Sequence, residues 1–192
     1  NVVTAETLLE VGVWSHNLVV KSGTSLTYYR DGAVIGSGEI TGAPANPQPL
    51  YLGGQLNGGG DVVENFAGDF QHVATFSKAL SADEVAEVYS RGLNGESLAG
   101  DGPPPSYFQD FDAADGTTDL GDGSIITSND GTNQVQGGQL RVTQSGTNST
   151  AASFLLPPMD GSNGWTVEFD ATIAHEGDNT PADGFSFNYG AI

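Results

Sequence analysis

Residues 66–92, FAGDFQHVATFSKALSADEVAEVYSRG, constrain the chain more than any other stretch, because a strand-like run leads directly into a capped helix. Phe66, Phe70, Val73 and Phe76 supply the apolar run. Ser81 then stands three residues before Glu84, the capping-box spacing in which two side chains satisfy two otherwise orphaned amides at a helix start. Val85, Val88 and Tyr89 give one apolar face, and Gly92 is a natural terminator. The spacing predicts a helix over 81–91 whose Val and Tyr face plugs the end of a sandwich.

Elsewhere short alternating runs are separated by Gly, Asn, Asp and Pro clusters, in a chain with 28 glycines and only 5 Lys and Arg. That pattern predicts an all-β fold, a sandwich of antiparallel strands with one short helix. The expected strands before the helix are Glu10 to Val20, Leu26 to Arg30, Ala33 to Glu39, Leu50 to Gly53 and Phe66 to Ser77. Asp31-Gly32 reads as a two-residue hairpin turn, since both residue types tolerate positive φ.

GDGPPPS, residues 100–106, joins three stiffening prolines to flanking glycines and reads as an interdomain linker. After it the pattern restarts. Tyr107, Phe108 and Phe111 begin a strand, followed by GGQLRVTQ at 137–144, TAASFLLP at 150–157 and Gly184 to Tyr189. In GWTVEFDATI, 164–173, Trp165, Val167, Phe169 and Ala171 fall on one face and Thr166, Glu168, Asp170 and Thr172 on the other.

With Trp14-Ser15-His16-Asn17-Leu18-Val19-Val20, the hairpin YYRDGAVIGSG at 28–38 and PLYLGG at 49–54, residues 8–92 resemble the closing half of a laminin-G-like, concanavalin-A-like jelly roll. Residues 107–192 resemble the opening half of another, nearer the legume and L-type lectins, through FDAADGTTDLGDGSII at 111–126, the GGQLRVT strand and PADGFSFNYG at 181–190. The resemblance implies a laminin-G-like part at 1–99, a linker at 100–106 and a lectin-like part at 107–192. A circular permutant, in which the two halves close one jelly roll, is the competing arrangement.

The chain has 24 acidic against 5 basic residues, a formal charge of -19, which repels phosphate backbones and anionic headgroups. Nucleic acid is thereby excluded as a partner. Membrane insertion is excluded too, because no apolar run approaches the roughly 20 residues of a spanning helix. Zero cysteines exclude disulfides, thiolate metal sites and a cysteine nucleophile. Asn1 is not an initiator methionine, so the sequence reads as an internal piece of something longer.

In legume-type lectins the Ala-Asp-Gly segment places an aspartate at the sugar pocket beside a close-approaching glycine. By that resemblance Asp183 and Gly184 are the candidate carbohydrate-binding residues. The family's remaining sugar and calcium ligands would lie downstream of this strand. Asp110, Asp112, Asp115, Asp119 and Asp122 form oxygen-rich loops without a DxDxDG run, and Asp61 and Glu64 lie in a Gly-rich loop, so calcium stays open as a cofactor with no ligand set. Laminarinase-like glycosidases of this fold carry E-x-D-x-(x)-E, whereas here Glu168-x-Asp170 lacks the second glutamate, and no catalytic residue is assigned. His16 replaces part of the family's Trp-His-His strand, His72 lies in the penultimate strand of the first segment, and both read as structural; His175 is in a loop. Asn148-Ser149-Thr150 matches a glycosylation sequon.

Together these readings describe a non-enzymatic, extracellular binding or adhesion segment recognising glycans or glycoproteins. The alternatives are a structural unit of a fibre or matrix paired with neighbouring copies of itself, and an accessory module of a secreted polysaccharide-degrading enzyme.

Overall fold

The computed structural model describes residues 9–40, 48–56, 62–66, 68–94, 96, 102–128, 133–142, 152–173 and 187–189. Among them the first segment supplies β1 (Ser15–Ser22), β2 (Ser25–Arg30), β3 (Ala33–Glu39), β4 (Gln48–Leu52), β5 (Gly54–Leu56), β6 (Val62–Asn65), β7 (Gly68–Phe76) and α1 (Ala82–Leu93). The second supplies β8 (Tyr107–Gln109), β9 (Ile125–Ser128), β10 (Gln134–Gln136), β11 (Gln139–Arg141), β12 (Ala152–Met159), β13 (Trp165–Ile173) and β14 (Phe187–Tyr189). The larger sheet runs β10-β11-β7-β13-β1-β2-β3, with β8 also on β7, and a smaller one runs β14-β4-β12-β9. A ribbon of β5 and β6 completes the antiparallel sandwich. The all-β, concanavalin-A-like jelly roll with one short helix is thus the fold.

Strands from both sides of GDGPPPS share the larger and the smaller sheet, which differs from the expected division at 100–106 into two sandwiches. β13 lies between β1 and β7, pairing Val167 with Val19 on one edge and with Thr75 on the other. β12 pairs with β4 in the smaller sheet, and Ser106 donates from its amide to the Thr75 carbonyl at 2.6 Å, tying the prolyl segment to β7. The physical reason is burial. Val167, Phe169 and Ala171 pack with Val19, Leu50, Phe70 and Phe154 in a single core drawn from both segments. Half a sandwich would leave those faces in water, and each fully buried large apolar side chain contributes about 1.5–3 kcal/mol.

The helix is as its signals require at the start. Ser81 caps it, accepting from the Glu84 amide, while Glu84 returns to the Ser81 amide. It ends later than expected, because Gly92 stays helical and Asn94 forms the cap. Nor does it plug the end of the sandwich. Val85 and Val88 pack with Leu18, Val20, Ala74 and Phe76, so α1 covers the outer face of the larger sheet over β1 and β7. That is why the polar face of β13 is itself buried, with Thr166 receiving a hydrogen bond from the Leu80 amide and donating to the Lys78 carbonyl. β1 begins at Ser15 rather than Glu10, since Gly12 takes φ +74 and breaks the extended run. The Asp31-Gly32 turn has φ 49 and 76, as its hairpin requires.

Candidate binding pocket

Register places the polar face of β13 beside the last turn of α1. Asp170 stands opposite His16 on β1 and Gln71 on β7. Between Glu168 and Asp170 the ladder slips: two steps on β13 face three on β7, from Ala74 to Gln71. The extra residue is accommodated at His72, whose φ of 49 is uncommon for a side chain other than glycine. Such a bulge re-aims a side chain. Here it brings His72 Nδ1 to 3.0 Å from Asp170 Oδ2.

The second imidazole–carboxylate pair is buried. His16 Nε2 lies 3.0 Å from Glu168 Oε1, with side chains 7% and 4% exposed. Burial raises the Glu168 pKa against the opposing hydrogen bond from His16. Among the described residues His16 Nδ1 and Glu168 Oε2 have no hydrogen-bond partner. Whether Nδ1 is a donor or an acceptor depends on the tautomer of His16.

The hairpin turn and the helix close the remaining sides. Asp31 accepts from the His16 amide at 3.0 Å, and the Asp31 amide donates to the His16 carbonyl at 2.9 Å. The Tyr89 ring lies 5.2 Å from that of His16, tilted by 46°. It crowds Gly32 so closely that a Cβ there would come within 2.7 Å of Tyr89 Cδ1. These elements border an open surface pocket of about 420 Å³, lined by Trp14, Ser15, His16, Asp31, Gln71, Tyr89, Gly92, Leu93 and Asp170. Small-ligand pockets span about 300–1,000 Å³. Gly92 needs neither positive φ nor close approach, since a Cβ there would meet nothing within 4 Å. A helical glycine costs about 1 kcal/mol relative to alanine. Its effect here is a lowered wall at the pocket.

The histidines expected to be structural thus join the E-x-D pair that the sequence marked on β13. Each carboxylate is occupied by an imidazole, and Glu168 is 3% exposed, out of reach of a substrate. Trp14, Asp31, Gln71 and Tyr89 were visible as strand, turn or helix residues, but nothing in their spacing joined them; that required the β13 pairings. Asp183 and Gly184 lie outside the described residues, as do His175, Asp61 and the 148–150 sequon; Glu64 lies in β6.

The acidic loops use their oxygens locally. Asp122 accepts from Tyr107, Gln109 and Ser124, Asp115 from the Gly137 amide, Asp119 from the Gly121 amide and Asp110 from the Asp112 amide. Among the described residues no three His, Asp or Glu side chains are grouped to hold a metal ion.

His72 predicts a pH dependence. Its hydrogen bond to Asp170 raises its pKa above the ordinary 6.5, outweighing partial desolvation, with Asp170, Glu168 and Asp110 adding favourable charge. A raised folded-state pKa gives stability that is complete below 6.5 and lost as pH rises through the folded value. Urea denaturation should therefore show less stability at pH 8 than at pH 6, with the difference reduced in His72→Gln. Equal pH slopes in the two proteins would remove His72 as the cause.

A two-sheet antiparallel sandwich with one short helix on an outer face is the concanavalin-A-like architecture. Residues 1–86 match the laminin-G family model described as Concanavalin A-like lectin/glucanases superfamily, in keeping with the resemblance carried by residues 8–92. Domains of this kind are generally non-catalytic binding modules. No curated protein matches the chain. No helix among the described residues is long and apolar enough to cross a membrane.

Proposed function

We propose that the chain is a non-catalytic binding segment of a secreted or cell-surface protein and that it recognises glycans or glycoproteins. The observation that carries this reading is the pocket beside α1. Trp14, 38% exposed at its edge, offers a face on which the C–H surface of a sugar ring can stack. Asp31, Asp170 and Gln71 supply fixed acceptors and a donor for hydroxyls, which need several directional bonds to compete with water. The superfamily match supports the same reading. The burial and pairing of Glu168 support a non-catalytic role.

Asp183, with Gly184 beside it, is a second proposed contact, supported by the legume-type resemblance alone. Calcium is a proposed addition rather than a requirement of this reading.

The test is a glycan array probed with the full chain, with Trp14→Ala and Asp183→Asn alongside. Binding should fall about tenfold in Trp14→Ala, the loss of roughly 1.4 kcal/mol of stacking. A comparable loss in Asp183→Asn, with unchanged circular dichroism, would establish the second contact. Absence of binding to any glycan would overturn the reading. Chelation with EDTA, followed by added calcium, would show whether the ion takes part.

A further inference from the structure

We propose that the buried His16–Glu168 pair is a proton-operated latch on α1: while the pair holds a shared proton it keeps the last turn of the helix on the sheet, and at alkaline pH it releases that turn. The inference stands independently of the glycan reading. The weak element is the end of the helix. Val85 and Val88 bury its first two turns, whereas from Tyr89 to Leu93 only Tyr89 and Arg91 are partly buried, and Gly92 adds a poor helix former. Tyr89 is the apolar hold of this turn on the sheet, with its ring 5.2 Å from that of His16. Local opening concentrates where so few buried contacts hold the backbone.

The groups around the pair are mostly of one sign. Asp170 stands opposite His16 and pairs with His72, Asp31 accepts from the His16 amide, and Asp110 acts on His72 from the segment after β8. The chain's five cations are placed elsewhere. Arg30 lies over Tyr28, Arg91 pairs with Glu87, Lys78 with Glu84 and Arg141 with Asp69, while Lys21 alternates onto the other face of β1 with Val19. Asp83, the remaining charge of α1, is exposed in its first turn.

One shared proton makes the pair neutral overall, the state that burial favours. Its loss leaves Glu168 a buried carboxylate, with Oε2 unpartnered among the described residues and Asp170 and Asp31 nearby. Such a charge is hydrated or neutralised rather than tolerated. β13 is fixed by ladders to β1 and β7 on either side, so water reaches the pair most readily by lifting Tyr89. A second proton is better borne, because the same two aspartates face the resulting cation; the latch therefore answers alkali and not mild acid. Tyr89, Gly92 and Leu93 also line the pocket, so release of the turn takes down one of its walls.

The test is amide hydrogen exchange of the 192-residue chain, followed by NMR from about pH 5 to 8.5 and corrected for the intrinsic pH dependence of exchange. A hydrated imidazole and carboxylate together hold one proton between about pH 4.3 and 6.5 and none above. Opening the turn then releases one proton above that range, so its equilibrium constant should be flat below about pH 6 and rise about tenfold per pH unit above about pH 7. The rise should appear at the amides of residues 90–93 and not at those of Val85 and Val88. Glu168→Gln, which removes the shared proton, should erase it, and His72→Gln should keep it. Equal slopes along the whole helix, a flat last turn, a slope that survives Glu168→Gln or one that vanishes in His72→Gln would each overturn the latch. If Glu168→Gln does not fold, the contrast between the two ends of α1 in the unaltered chain decides the matter alone.

Discussion

Replacing Glu168 with alanine is expected to lower the unfolding free energy by about 3–5 kcal/mol, the usual result of removing one member of a buried pair. Glu168 lies on β13 and its partner His16 on β1, 152 positions apart in sequence and 3.0 Å apart in space. Deleting the carboxyl leaves the imidazole with neither nitrogen bonded and opens space under α1. His16→Ala should cost a similar amount, because it leaves both Glu168 oxygens without partners. The double variant should then cost clearly less than the sum, since two groups in contact share one interaction. Equilibrium urea denaturation of the four proteins checks this. Strict additivity would mean that the two residues do not meet.

The second large effect is Phe169→Ala. Phe169 is fully buried on the inner face of β13 and packs edge-on against Phe70 of β7, with ring centroids 5.6 Å apart. Phe70 in turn stacks on Phe66 at 4.9 Å. Truncating a buried phenylalanine costs about 3–5 kcal/mol through lost transfer energy and the cavity left behind. Because the ring touches residues from the other side of the prolyl segment, the loss should appear as one cooperative transition moved to lower urea. Two transitions, only one of them moved, would mean that the segments fold apart.

Much of this fold is legible in the sequence, and the failures share one cause. Alternation in GWTVEFDATI, the Asp31-Gly32 turn and the Ser81–Glu84 box are local signals, and β13, the β2–β3 hairpin and the start of α1 follow them. Which strand pairs with which is a long-range property. β13 is buried on both faces and could have been completed by any neighbour, so its insertion between β1 and β7 was not written in its own residues. The pocket inherits that limit. His16, Asp170 and Tyr89 come from three elements, and only the register of β13 brings them together. The bulge at His72 was illegible for a different reason: positive φ at a histidine has no strong sequence signal, and here it is imposed by the mismatch between β7 and β13. Short strands such as β10, three residues long, carry too little alternation to announce themselves.

Cutting the chain between its two segments tests the central claim, that both contribute to one sandwich, most directly. A protease site placed at Ala99 in the 192-residue chain allows the folded protein to be nicked and then examined by light scattering, circular dichroism and thermal melting. The two fragments should remain associated one to one, with unchanged β-sheet signal and a single cooperative melt, because β13 stays inserted between β1 and β7 without a covalent link. Fragments that separate after the cut, each keeping its own folded spectrum and its own transition, would contradict the account.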